Sequence, residues 1–160
     1  MDTLVVVHVA ISLIAIAAGL VAMSKMLGSD RAPGLTAIFL AFTILTNVTG
    51  FFIPPFLQDK FLPSHAIGIL SLVLLAIACL ALYGQKLAGL WRWVYVVTAL
   101  VSLYLNCFVL VIQSFLKIPA LHAIAPGASP TGPVFAVVQG IVLVFFVIVT
   151  VGAVRRFRPA

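Results

Sequence analysis

Glutamate does not occur in this chain of 160 residues, and the only acids are Asp2, Asp30 and Asp59, each at or beyond a predicted helix end. That leaves no carboxylate inside a membrane-spanning stretch, so a proton path across the membrane is poorly supported. Charge of either sign is scarce. Only 8% of residues are charged and 64% are hydrophobic, with a mean hydropathy of +1.33, whereas a soluble domain carries about a quarter charged residues. Water is therefore not the main solvent of this chain. The pI near 9.9 reflects missing acids more than a basic surface, and no basic patch interleaved with aromatics points to nucleic acid. The two cysteines, Cys79 and Cys107, fall in different apolar segments at different depths, which argues against a disulfide, and no CxxC or zinc spacing exists. They read as small apolar residues. Ser-His-Asp, HExxH and phosphate-binding glycine motifs are missing as well, so no soluble-type catalytic mechanism is indicated. If the chain is an enzyme, it belongs with membrane oxidoreductases or electron-transfer components. Nor is there a positive region ahead of the first apolar segment, so that segment is expected to be retained rather than cleaved.

What is present is apolar sequence in blocks. Crossing about 30 Å of hydrocarbon takes about 20 helical residues, and five stretches qualify: Leu4–Met26, Leu35–Ile53, Ser64–Gly84, Trp93–Leu116 and Val134–Val154. Between them lie a polar turn from Gly28 to Gly34, then Pro54-Pro55 with Asp59, Lys60 and Pro63. Gly84 to Gly89 follows, and last a long segment punctuated by Pro119, Pro126, Pro130 and Pro133. The expected fold is an all-α integral membrane bundle of five transmembrane helices in a single domain, without repeats or an extramembrane module. One side collects Lys25, Arg31, Lys86, Arg92, Arg155, Arg156 and Arg158, the other only Lys60 and Lys117. The positive-inside rule then places the N-terminus in the periplasm and the C-terminus in the cytoplasm, with Trp91, Trp93 and Tyr95 as an aromatic belt.

Helical phase indicates where the polar side chains face. In the fourth span Tyr95, Thr98, Ser102, Asn106, Gln113 and Lys117 follow steps of three, four or seven and share one narrow face, which is expected to look inward. The second span repeats the pattern with Thr36, Thr43, Asn47 and Gly50. The third aligns His65, Gly68, Leu72, Ala76, Cys79 and Tyr83, and the first His8, Ser12, Ala15, Gly19 and Ala22. At about 1.5 Å per residue, His8, Asn47, Gln113 and Gln139 lie roughly 6–9 Å below the periplasmic helix ends, with His65 shallower. A periplasm-facing pocket built from His8, Asn47, His65, Asn106, Gln113 and Gln139 is the inference, with the segment Pro119–Pro133 as its cover. The plain alternative is that these groups only bond neighbouring helices, each contributing under about 1 kcal/mol. Phe51, Phe52, Phe56 and Phe61 read as interfacial anchors or as the lining of an apolar ligand's way in.

Such a layer suits a redox-type ligand. Haem b requires axial imidazoles from opposite sides of the ring, and His8 with His65 is the available pair. A three-histidine metal site of His8, His65 and His122 would need the proline-rich segment to fold back over the bundle. A quinone would take hydrogen bonds from His, Asn and Gln while Phe and Leu enclose its ring and tail. Competing classes are a passive channel or small-solute transporter, with the span-four stripe as its lining, and an accessory or assembly subunit without a site of its own. Besides the lipid bilayer, the expected partners are further copies of the chain or a larger membrane complex, and not nucleic acid. The order His8, Gly19, Lys25, Arg31, Gly34, with Thr49-Gly50-Phe51, Tyr104-Leu105-Asn106, Gln113, Phe115-Leu116-Lys117 and Pro119, resembles a family of small polytopic membrane proteins of bacteria. That resemblance covers most of the chain, carries no assigned chemistry and implies a bacterial inner membrane.

Overall fold

The computed structural model describes residues 3–53, 63–127 and 129–159. Among the described residues there is no strand, and six α-helices follow one another: α1 (Thr3–Leu27), α2 (Pro33–Gly50), α3 (Pro63–Cys79), α4 (Trp91–Lys117), α5 (Pro119–Ile124) and α6 (Pro133–Arg156). A π-helical turn, Leu80–Gly84, prolongs α3. All but the short α5 correspond to the five expected spans, and each of the five is long and apolar enough to cross a membrane. The predicted break around Pro54-Pro55, with Phe56, Asp59, Lys60 and Phe61, lies outside the described residues, as does Asp2.

Proline starts most of these helices because it tolerates the first turn, where its missing N–H is not required. Pro33, Pro119 and Pro133 sit in the first turns of α2, α5 and α6. Pro133 follows Gly132, whose φ of 103° is open to glycine and strained for other residues. The α1–α2 turn is tight. Asp30 accepts a hydrogen bond from the Ala32 N–H at 2.9 Å and pairs with Lys25 at 3.6 Å, so one of the few acids shapes a turn. The segment expected to be a plain proline-rich loop contains α5, because Pro119 starts a turn that Leu121 and His122 close onto the carbonyl of Ile118.

The α1–α2 and α3–α4 turns and the end of α6 gather at one end of the bundle, here the basic end. The opposite end holds the start of α1 and is the N-terminal end. α4 is central, packing against α1, α2, α3 and α6; 39% of its most apolar window is buried, against 11% for α6 at the periphery. The core occupies the basic half, with Phe39, Leu75, Ala78, Val96, Ala99, Leu100 and Leu103 fully buried. Gly19 permits a close approach of α1 to α4, since a β-carbon there would stand 2.5 Å from Leu103 Cδ1 and 2.8 Å from Phe39 Cδ2.

Two expectations need correction. Tyr95 is not a belt residue: it is 1% exposed and packs on Phe157, ring centroids 5.9 Å apart, because its phase turns it inward with Thr98 and Ser102. In α3 the buried face runs through Ser71, Leu75 and Ala78, while Ala76 and Tyr83 are exposed. The stripe predicted there is rotated away from the packed face. The first-span face holds, with Ala15, Gly19 and Ala22 buried, and Thr36 and Thr43 of the second are buried too.

Candidate functional site

Toward the N-terminal end α1 and α4 no longer meet, and a cavity of about 650 Å³ opens between α1, α2, α3 and α4. That is within the range of about 300–1,000 Å³ typical of small-ligand sites. His8 and Ser12 from α1, Asn47 and Gly50 from α2, Ser64, Gly68 and Ser71 from α3, and Asn106, Gln113 and Lys117 from α4 line it, amid apolar residues such as Val9, Leu13, Phe51 and Leu110. Among the described residues no Asp or Glu is in the wall, and Lys117 is its cation.

The helix-to-helix bonding around the cavity determines which polar atoms remain. His8 Nδ1 and Thr49 Oγ1 are 2.8 Å apart, joining α1 to α2. Thr49 has one hydroxyl proton, and the carbonyls of Leu45 and Thr46 lie 2.8 and 3.2 Å from its oxygen. With that proton given to its own helix, the His8–Thr49 bond is donated by Nδ1–H and Nε2 keeps its lone pair. Ser12 donates to the carbonyl of His8 at 2.6 Å. The amide of Asn47 donates to the Thr43 carbonyl at 2.8 Å and to Ser71 Oγ at 3.1 Å, tying α2 to α3. Both its protons are used, so what Asn47 has left is its carbonyl oxygen. Across from these, Asn106 Nδ2 on α4 is buried and has no hydrogen-bond partner. The α1–α2 wall thus offers the lone pair of His8, the carbonyl oxygen of Asn47 and the buried, unpartnered hydroxyl of Thr46, and the α4 wall offers the amides of Asn106 and Gln113 and the ammonium of Lys117.

Of the six residues expected in the pocket, the structure brings together His8, Asn47, Asn106 and Gln113 and leaves out two. His65 is buried, with its ring stacked on Phe51 at 6.2 Å and 23° between planes. Phe51 is in the cavity wall and His65 is not. Gln139 turns to α4, donating to the Phe108 carbonyl at 3.1 Å; being on α6, it serves the α4–α6 seam. His122 is half-buried on α5 and away from the cavity. Among the described residues no three of His, Cys, Asp or Glu cluster as a metal site, so the histidine triad is not assembled. Haem held by two histidines does not fit either, since only His8 of the supposed pair faces the cavity. None of the described residues of Pro119–Pro133 is in the wall, which ends at Ile118, and α5 packs on α4. The two cysteines are free, as expected, and half-buried.

Ser71 escaped sequence reasoning, although it anchors Asn47. The signal was the alternative α3 stripe of Ser64, Gly68, Ser71, Leu75 and Ala78, which carries both serines and the small residues. The span-four stripe divides in two: Tyr95, Thr98 and Ser102 are buried in the core, whereas Asn106, Gln113 and Lys117 line the cavity. The basic half is closed beneath it by Gly19, Phe39 and Leu103, so the stripe does not line a continuous pore. Comparison with family models, with curated proteins and with solved structures finds no match. The five apolar helices suggest a multi-pass membrane protein, and the site's own geometry carries the functional argument.

Proposed function

We propose that the chain is a bacterial inner-membrane protein, with its N-terminus in the periplasm, whose periplasm-facing cavity binds a quinone-type ligand. The observation that carries this reading is the buried, unpartnered amide of Asn106 across the cavity from the acceptor atoms left on His8 and Asn47, within a mostly apolar enclosure. A quinone carbonyl accepts from the amide of Asn106 or Gln113. The hydroxyl of the corresponding quinol donates to His8 Nε2 or to Asn47 Oδ1. Both redox forms of one ligand therefore find partners, and neither needs a buried carboxylate. The role is that of a binding component, as electron transfer would require a redox partner in a larger membrane complex.

The test is organic extraction of protein purified gently in detergent, followed by titration with a decyl-benzoquinone and comparison with Asn106→Leu and His8→Ala. Co-extracted quinone, and a loss of roughly tenfold or more in affinity in each variant, supports the reading. No co-extracted quinone, together with no saturable binding, would overturn it. The arrangement of the spans is checked separately by labelling single cysteines placed at Ser29 and Ser129. Ser29 should react only from the cytoplasmic side and Ser129 only from the periplasmic side.

A further inference from the structure

The cavity has a side as well as a mouth. From the quinone-type reading above, we infer that the ligand enters laterally from the bilayer, through an apolar portal between α1 and α4 formed by Val9, Leu13 and Leu110, and leaves its tail in that portal. Val9 and Leu13 are cavity-wall residues and are also 42% and 50% exposed. They continue into an exposed stripe of α1 with Ala17 and Leu20. Leu110, facing them from α4, is in the wall and 38% exposed.

What opens this seam is the placement of α6. It packs on α4 through Gln139 to Phe108, Phe135 to Phe115 and Phe146 to Tyr104. It reaches α1 near the basic end, where Gly152 meets Leu27. None of its residues lines the cavity, so in the N-terminal half α6 does not cover the seam between α1 and α4. Below the opening, Gly19 against Leu103 draws the two helices together and ends it.

Depth decides what comes through. At about 1.5 Å per residue, Val9 and Leu13 lie roughly 9 and 15 Å from the start of α1 at Thr3, and Leu110 roughly 10 Å from Lys117. A hydrocarbon core about 30 Å thick has chains, not water, at those depths. An aqueous solute would find no favourable path between a valine and two leucines. A membrane-dissolved amphiphile would, its head meeting Asn106 and His8 and its tail staying among the lipid chains. A cavity of this volume holds a substituted ring with a short length of tail; the remainder has an apolar way out at the portal.

The experiment compares two probes, a decyl-benzoquinone and the same ring without the decyl chain, on protein in lipid nanodiscs. Narrowing the portal with Leu13→Trp and Leu110→Trp together, at two residues that also line the cavity, should weaken the decyl form roughly tenfold more than the tail-less ring. Asn106→Leu should weaken both probes alike. Widening with Leu13→Ala and Leu110→Ala, at exposed positions where small residues fold readily, should speed association of the decyl form and not of the bare ring. Equal effects on the two probes in the narrowed variant, or an unchanged rate in the widened one, overturns the portal while leaving the head site standing. Indifference of both probes to Asn106→Leu overturns the head site itself.

Discussion

Gly19 is the point where the fold and the cavity meet, and its replacement by alanine has a calculable consequence. The added β-carbon would lie 2.5 Å from Leu103 Cδ1 and 2.8 and 3.0 Å from two ring carbons of Phe39, where carbon contacts settle near about 3.5–4.0 Å. Leu103 must withdraw by roughly 1 Å, and it and Phe39 are both fully buried. Such overpacking costs about 1–3 kcal/mol, less the ~1 kcal/mol by which alanine surpasses glycine within a helix. Leu103→Ala alone, which empties a buried leucine site, costs about 2–5 kcal/mol. In the double variant the new methyl occupies part of the vacated volume, so the two losses do not add. A coupling of about 1 kcal/mol or more in favour of the double variant is expected. The assay is reversible unfolding in mixed detergent micelles for the wild type, both single variants and the double. Additivity within about 0.5 kcal/mol would refute the close approach of α1 to α4 on which the floor of the cavity depends.

Asn47→Leu should cost roughly 0.5–2 kcal/mol in the same assay, because it strands Ser71, which is 1% exposed and accepts the Asn47 amide; a neutral result would show that the α2–α3 bridge is not made. Gln139→Leu should change stability by no more than about 1 kcal/mol, since it removes the bond to Phe108 together with an Oε1 that has no partner. It should leave quinone affinity unaltered, and a marked loss of affinity would return Gln139 to the site. Phe157→Ala should cost about 3 kcal/mol, because the ring is buried against Tyr95, next to Arg158, whose N–H donates to Ser29 Oγ at 2.8 Å. An unshifted melting temperature would mean that Phe157 is not packed there.

The five helices were legible because each announces itself by length and hydropathy, and proline or glycine marks their limits almost to the residue. Phase was legible where polar residues repeat at helical spacing in one register only, as in α1 and α4. It failed in α3, where His65 and Tyr83 suggested a register that the packed face, Ser71, Leu75 and Ala78, does not follow. A histidine and a tyrosine both carry enough apolar ring to sit at a boundary, so they fix phase less firmly than serine or alanine does. Depth brought His8, Asn47 and Gln113 to one level, and all three line the cavity, but it also admitted Gln139, which does not. Depth alone does not tell which neighbour a helix faces, and α6 turns its glutamine toward α4. His65 stays out of the wall for the related reason that the ring of Phe51, on which it stacks, stands there.

The division of the α4 stripe shows a chemistry that sequence could have revealed. Thr98 and Ser102 return their hydroxyl protons to their own helix, to the carbonyls of Val94 and Thr98 at 2.7 and 2.9 Å. A hydroxyl satisfied in this way needs nothing from a neighbour, so these positions pack into a dry core beside Leu100 and Leu103. A carboxamide differs, because it has two protons and an acceptor oxygen, and one turn of helix does not satisfy all three. From Asn106 onward the stripe changes from hydroxyls to amides and then to the ammonium of Lys117, and there α1 and α4 cease to pack and the cavity begins. Asn47 satisfies its amide by reaching one carbonyl on its own helix and one serine on the next. Asn106 Nδ2 has neither. Like the unpartnered hydroxyl of Thr46 in the same cavity wall, that buried donor costs stability as it stands, and a ligand that presents an acceptor oxygen to it recovers the loss.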